Sequence, residues 1–222
     1  MYYIILLATL IITMGSQSYI NSTYKRTREI SSKKGITGGE VARRILDENG
    51  LKKVKVEEVD GTLSDHYDPK NKVVRLSKDI YQNTSLASIA VASHECGHAI
   101  QDKEGYFFLR FRNSIIPLVN IASRAGYIII LISVFTSLLK LLWIGIIMEL
   151  IILLFQIVTL PVEFNASNRA LKQIKELKIV QDEEHSSCKT MLKAAALTYV
   201  ASVAAGILEV FRLLLIVNDR RG

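Results

Sequence analysis

Long uncharged stretches constrain this chain more than any other feature of its sequence. Residues 115–160 carry almost no charge, a second apolar run covers residues 194–217, and the run YYIILLATLIITM follows Met1. The intervening residues 21–112 are polar and rich in lysine and arginine. Mean hydropathy is +0.26, which soluble domains rarely need. Apolar runs separated from charged segments in this way predict membrane spans attached to a water-soluble lobe.

The apolar runs divide the chain into five predicted segments. In chain order we expect an N-terminal transmembrane anchor, a cytoplasmic lobe, a transmembrane helical hairpin, a cytoplasmic helix and a C-terminal membrane helix, at residues 1–20, 21–114, 115–160, 161–193 and 194–217. Lys140 interrupts the longest run and predicts the short loop of the hairpin. The last run also fits a re-entrant or interfacial segment, because a final span leaves Arg220 and Arg221 outside.

Basic residues next to the spans predict how the chain is oriented. Five of them follow the first apolar run: Lys25, Arg26, Arg28, Lys33 and Lys34. Lysine and arginine are enriched on the cytoplasmic side of membrane proteins, so we expect the lobe in the cytoplasm and the N-terminus outside. The formal net charge of +7 also fits a nucleic-acid surface. The position of the charges beside the spans favours the lipid bilayer as partner and no nucleic acid.

Local patterns predict a mainly α-helical chain with a small β-sheet, an α+β fold. Apolar residues at helical spacing cover residues 35–49 and 85–101, with Ser85 as the N-cap of the second helix. Short strands are predicted between these helices, at residues 54–59, 63–67 and 73–76. We expect these strands to form a β meander directly before the second helix.

That second helix carries the motif His94-Glu95-Cys96-Gly97-His98, which fits H-E-x-x-H. Residues four apart share one face of a helix, so both imidazoles can bind one metal ion. Glu95 lies about a quarter-turn away and can reach a water on that metal without being a ligand. The pattern predicts metal-assisted hydrolysis with zinc as cofactor and Glu95 as general base. Cys96 lies on the far side of the helix and is predicted to be a small core residue, and with Cys188 it fits two reduced thiols.

A catalytic zinc site needs a third protein ligand from elsewhere in the chain. The candidates are His66, His185, Glu104 and the glutamates that follow the second span of the hairpin. Topology favours Glu163, because His98 precedes the hairpin and Glu163 follows it. Pro161 predicts a helix start or a kink there, with Glu163 in the first turn. From spacing alone, a ligand and a solvated glutamate favoured by the helix dipole are equally good interpretations.

Four longer motifs resemble a known family. SDHYDP at 64–69, VASHECGHAIQ at 91–101, LPVEFNASNRAL at 160–171 and AAALTYVA at 194–201 are similar to the YugP-type family of neutral membrane zinc metallopeptidases. The resemblance covers nearly the whole chain. More distantly, H-E-x-x-H followed after membrane spans by E-x-x-A resembles the HtpX-type and CAAX prenyl endopeptidases. In those enzymes the later glutamate is the third zinc ligand, which implies that role for Glu163.

The chain departs from the more distant pattern at one position. HtpX-like enzymes have aspartate four residues after the ligand glutamate, where this chain has Ser167. An aspartate there would orient a metal-binding histidine. The support for His94 or His98 is therefore expected from another side chain, and Asn165 and Asn168 are the candidates.

Other polar residues are candidates for the substrate side of the site. Arg169, Tyr199 and His185 can each stabilise the oxyanion of a tetrahedral intermediate. His66 sits beside a turn and can line the site. The strand at 73–76 is predicted to be an edge strand that binds an extended peptide by strand addition.

The function predicted from these residues is a membrane-bound zinc endopeptidase with a zincin-like lobe, in a prokaryotic cell membrane. It would hydrolyse peptide bonds of membrane proteins or peptides. One alternative is a zinc-binding membrane protein without protease activity, such as a sensor or an adaptor. Metal storage needs no general base, so the intact Glu95 disfavours it. The other alternative is a scaffold whose basic lobe binds lipid headgroups or nucleic acid.

Overall fold

The computed structural model describes residues 1–61, 64–136 and 138–220. These residues form a mainly α-helical chain with one small sheet, as predicted. The elements are α1 (Tyr2–Arg28), α2 (Gly38–Glu48), β1 (Lys55–Val59), β2 (His66–Asp68), β3 (Val73–Ser77), α3 (Lys78–Gln82), α4 (Leu86–Glu104), α5 (Phe107–Thr136), α6 (Leu139–Glu176) and α7 (Asp182–Asp219).

The chain divides into two compact units. The membrane unit comprises Met1–Gln17, Arg110–Pro161 and Leu197–Gly222, and the lobe comprises Ser18–Leu109 and Val162–Ala196. Helices α6 and α7 are each 38 residues long, and each has one part in the membrane unit and the other part in the lobe. The segment predicted as one helix at 161–193 holds the end of α6 and the start of α7.

Among the described residues, four helices are long and apolar enough to cross a membrane: α1, α5, α6 and α7. Only 6% to 22% of the residues in their apolar windows are buried inside the protein. Apolar side chains that remain exposed on this scale suit a lipid environment. The predicted membrane association therefore agrees with the surface of this unit.

Glycines allow the helices of the membrane unit to pack closely. A Cβ on Gly145 would lie 2.4 Å from Ile130, and one on Gly126 would lie 2.9 Å from Met148. The partner of the earlier α5 residue, Gly126, comes later in α6 than the partner of Ile130, so α5 and α6 form an antiparallel hairpin.

The loop prediction at Lys140 is wrong, because Lys140 lies in the first turn of α6. Helix α5 ends at Thr136 and α6 begins at Leu139, and residue 137 lies outside the described residues.

The core of the lobe lies between α2, the sheet, α4 and the adjoining parts of α6 and α7. Helix α2 begins with a capping box between Thr37 and Glu40, which satisfies two backbone N–H groups that lack helical partners. Its apolar stripe packs against α4, and Cys96 is fully buried in this cluster. Cys96 donates to the carbonyl of Ala42 at 3.5 Å. Both predictions, for the helix and for the cysteine, are confirmed.

The predicted β meander is wrong. The strand order is β1-β3-β2, with β1 parallel and β2 antiparallel to β3. The strand predicted as an edge strand is therefore the central one. Val73, Val74 and Leu76 are all buried, and the middle of the sheet is where a mostly apolar strand buries most surface. The predicted strand at 63–67 is observed as His66–Asp68, and residue 63 lies outside the described residues.

Helix α6 continues through Pro161, so the predicted helix start at this residue is wrong. A proline inside a helix removes one backbone hydrogen bond, to the carbonyl four residues earlier. The apolar residues before it extend the helix from Leu139 regardless. Glu163 therefore lies in the interior of a long helix, and the interpretation of Glu163 as a solvated first-turn residue no longer applies.

Candidate metal centre

Helix α4 presents the two motif histidines on one face. Ser85 caps its start by accepting a hydrogen bond from the Ser88 N–H, and Gly105 ends it in the left-handed conformation. The rings of His94 and His98 lie 4.8 Å apart and nearly perpendicular. The i, i+4 spacing therefore produces the juxtaposition expected from the sequence.

Helix α6 brings Glu163 to this histidine pair. Glu163 Oε2 lies 3.1 Å from His94 Nε2 and 3.7 Å from His98 Nε2. One ligand atom from each residue lies within 4.8 Å of the others. The side chains are only 14%, 10% and 5% exposed, in the order His94, His98 and Glu163. The structure thus brings together three of the residues singled out in the sequence.

This donor set fits zinc. Tetrahedral ligands at about 2.0–2.1 Å from the ion lie about 3.3 Å from one another, close to the two separations from Glu163 Oε2. Two imidazoles and one carboxylate are a known catalytic zinc set that leaves a fourth position open. Burial of a carboxylate beside two histidines is costly unless it is paired or binds a metal.

Gly97 permits α4 and α6 to approach at this point. A Cβ on Gly97 would lie 2.5 Å from the Ala166 carbonyl oxygen and 3.2 Å from its Cα, both rigid backbone atoms. Any larger residue has to push the helices apart. The glycine inside the motif therefore serves the contact that sets the distance from the histidines to Glu163.

We expect Gly97→Ala to lower the thermal midpoint and to reduce zinc content. Overpacking of this kind costs about 1–3 kcal/mol, and the forced separation also moves Glu163 from the histidines. Gly15→Ala is the matched control, because Gly15 is helical and a Cβ added there would meet nothing within 4 Å. Thermal unfolding and metal analysis in detergent make the comparison. Equal midpoints and equal zinc in the two variants would contradict the packing argument.

Each histidine has a supporting partner behind its ring. Ser167 Oγ lies 3.2 Å from His94 Nδ1, so the residue that replaces the expected aspartate still supports this histidine. Gln101 Oε1 lies 3.0 Å from His98 Nδ1. Asn165 contacts Gln101 and reaches His98 only through it, whereas Asn168 is exposed. Sequence reasoning missed Gln101, although its i, i+3 spacing from His98 places it on the same helix face.

Glu95 lies beside the centre and faces strand β2. It is 8% exposed, and its Oε2 accepts a hydrogen bond of 2.9 Å from the Tyr67 backbone N–H. Burial raises the pKa of Glu95 to about 7, a shift that His94 opposes and Glu163 reinforces. A buried carboxylate with a pKa near neutrality has the properties of a general base.

The remaining candidates lie outside the three-residue group. Exposed His66 contacts the Ser64 carbonyl oxygen at 2.7 Å, and His185 contacts the Leu171 carbonyl oxygen at 3.3 Å. Glu104 pairs with Arg169, whose Nε also donates to Asn165. Tyr199 belongs to the membrane unit. His66, His185 and Glu104 are therefore not part of the group that can hold a metal ion.

Comparisons with known proteins agree with this centre. The model of the family described as "Putative neutral zinc metallopeptidase" matches residues 2–218. The chain is 42% identical over 215 residues to the "Putative membrane protease YugP" of Bacillus subtilis (strain 168), covering 97% of this chain and 96% of that relative. No solved structure gives a significant match. Since the similarity spans both the lobe and the membrane helices, the chain belongs to the family of "Putative neutral zinc metallopeptidase" proteins.

Proposed function

We propose that this chain is a membrane-bound zinc endopeptidase that hydrolyses peptide bonds of membrane proteins or peptides. The observation that carries the proposal is the group of half-buried His94 and buried His98 and Glu163, with buried Glu95 beside it. These three residues would hold zinc and Glu95 would be the general base. When bound, zinc acts as a Lewis acid that activates water and polarises the peptide carbonyl.

The protein residues have separate tasks in this proposal. Glu95 takes a proton from the attacking water and later passes it to the leaving amine. Its hydrogen bond from the Tyr67 N–H fixes the direction of the carboxylate. The low exposure of the surrounding side chains excludes bulk water, which strengthens electrostatic interactions at the reacting carbonyl.

Strand β2 is the edge strand that can position a substrate. Among the described residues it pairs with β3 alone, and the N–H of Tyr67 points away from β3 toward Glu95. An extended peptide that adds to this edge would run past the general base. The predicted strand addition is therefore reassigned from the central strand β3 to β2.

Zinc removal tests the proposed function directly. We expect the purified chain to contain about one zinc ion and to cleave a generic unfolded protein. A chelator should abolish cleavage, and added zinc should restore it. Zinc binding without any cleavage would favour the sensor or adaptor, and absence of zinc would refute the metal centre.

We further propose that the lobe lies on the cytoplasmic side of a prokaryotic cell membrane. Lys25, Arg26 and Arg28 form the last turn of α1, as the positive-inside rule favours. Arg220, near the end of α7, is an exception to this rule. Its guanidinium donates to the carbonyls of Ser133 and Val134, near the end of α5. Arg220 therefore caps the C-terminal end of α5, and this structural role explains a basic residue on the outer side of the membrane.

Cysteine labelling in intact cells tests this orientation. Lys140→Cys and Lys53→Cys both replace exposed residues, one in the first turn of α6 and one in the lobe. An impermeant maleimide should label the first variant in intact cells and the second only after permeabilisation. The native Cys96 and Cys188 are buried and give little background. The reverse labelling pattern would place the lobe outside.

A further inference from the structure

A chain of polar side chains runs behind His98, on the side away from Glu163. Gln101 of α4 is fully buried, and its side chain contacts α6. Its Oε1 lies 3.0 Å from His98 Nδ1, and its Nε2 donates to the Val162 carbonyl at 2.8 Å and to Asn165 Oδ1 at 2.9 Å. Both the oxygen and the nitrogen of the Gln101 amide are therefore hydrogen-bonded within the protein.

The partners fix which way the Gln101 amide points. The Val162 carbonyl can only accept, so it requires the Gln101 NH₂ group. Asn165 Oδ1 also accepts 2.6 Å from Arg169 Nε, and a guanidinium can only donate. A flipped Asn165 or Gln101 would set donor against donor or acceptor against acceptor. The Gln101 oxygen must therefore face His98 and accept a hydrogen bond from the Nδ1–H of its ring.

We propose that Gln101 is a positioning residue for His98, which holds the ring proton on Nδ1 and so leaves Nε2 free to bind the metal. His98 Nε2 is the atom that faces Glu163. This role rests on the proposed zinc site and deepens it. It also gives Arg169 a task different from oxyanion stabilisation, because Arg169 holds Asn165 in the orientation that orders Gln101.

A purely structural role for Gln101 gives a different expectation. Its bonds to Val162 and Asn165 also join α4 to α6, so any variant that weakens this contact would lower stability and zinc affinity together. A positioning role predicts that zinc affinity follows the acceptor offered to His98, whatever happens to stability. Two substitutions of similar size separate these expectations.

Gln101→Met keeps the volume but removes the acceptor. We expect it to weaken zinc binding about 10- to 100-fold, the usual effect of losing the partner of a ligand histidine. Gln101→Glu keeps an oxygen for His98 but turns its second oxygen toward the oxygens of Val162 and Asn165. We expect Gln101→Glu to lower the thermal midpoint more than Gln101→Met does. Its zinc affinity should stay within about 3-fold of the wild-type value, a smaller loss than that expected when the histidine loses its partner.

The measurements are the zinc dissociation constant, from competition with a chromophoric chelator, and the thermal midpoint of the full chain in detergent. Glu104→Gln is the control, because it removes the exposed ion pair of Arg169 but leaves the bond from Arg169 to Asn165. It should bind zinc as the wild type does. Zinc affinities that fall in the same order as the thermal midpoints would overturn the positioning role.

Nuclear magnetic resonance of the zinc-loaded wild type decides the matter even if Gln101→Met does not fold. The ¹⁵N-labelled protein should show a slowly exchanging proton on His98 Nδ1. Absence of this proton would overturn the proposal. A wild-type chain that binds no zinc would refute the metal site itself, whereas zinc binding that is unchanged in Gln101→Met would refute only the role of Gln101.

Discussion

Replacement of Glu95 by glutamine is expected to leave zinc bound and to slow peptide cleavage by about 10²- to 10⁴-fold. Glutamine has the size of glutamate and can keep a bond to the Tyr67 N–H, but it cannot take a proton from water. Because Glu95 is outside the three-residue group, zinc content should not change. Zinc per chain and cleavage rate should be measured on the same preparations.

The exposed Glu48 at the end of α2 provides the matched control. Glu48→Gln makes the same chemical change away from the centre and should retain wild-type cleavage. Undiminished cleavage in Glu95→Gln would refute the mechanism, whatever its zinc content. Loss of zinc in the same variant would instead show that Glu95 binds the metal.

The wild-type pH profile offers an independent check on the same base. A general base works only when ionised, so cleavage should be present above the pKa of Glu95 and be lost as the pH falls through it. Burial raises this pKa to about 7. The positive charge of bound zinc favours the carboxylate, so the acid limb should have its midpoint at or below that value.

Replacement of Glu163 by alanine is expected to remove most of the bound zinc. Only His94 and His98 would remain as protein ligands, and loss of a direct ligand should cost more than the roughly 100-fold upper effect of losing a supporting partner. His94→Ala and His98→Ala should behave in the same way. Equilibrium dialysis against zinc at several free concentrations measures the affinity of each variant.

Glu176→Ala is the control for the Glu163 variant. Glu176 lies on the same helix, is exposed, and pairs only loosely with Lys172 at 3.8 Å. This variant should bind zinc with wild-type affinity. Full zinc occupancy in Glu163→Ala would exclude Glu163 as the third ligand and return attention to His66 or His185.

Local spacing was sufficient to predict some parts of this protein. The i, i+4 spacing of His94 and His98 requires only a helix, and Ser85 indicated where that helix begins. The apolar runs predicted the membrane helices for the same reason, since length and composition are properties of one segment. The three apolar residues of β3, Val73, Val74 and Leu76, were also a sign of its central burial, although we predicted it as an edge.

Contacts between distant segments could not be predicted in this way. The partner of each strand depends on how the whole sheet buries its faces, so the β1-β3-β2 order emerged only from the fold. Glu163 was one of several candidates until α6 placed it beside the histidines. The hairpin topology and the resemblance to known enzymes had favoured it, whereas spacing alone had not. The link from Arg169 to His98 could not be predicted either, because it passes through Asn165 and Gln101, which belong to different helices.

The sequence by itself therefore determined which segments are apolar helices and which two imidazoles share a helix face, because neighbouring residues decide both. Only the tertiary structure decided that Gly97 lies against Ala166, that Ser167 and Gln101 support the two histidines, and that β2 faces Glu95. Each of these depends on side chains and backbone from separate helices and strands meeting within a few ångströms. Such contacts arise from the packing of the whole lobe and leave no periodic pattern in the sequence.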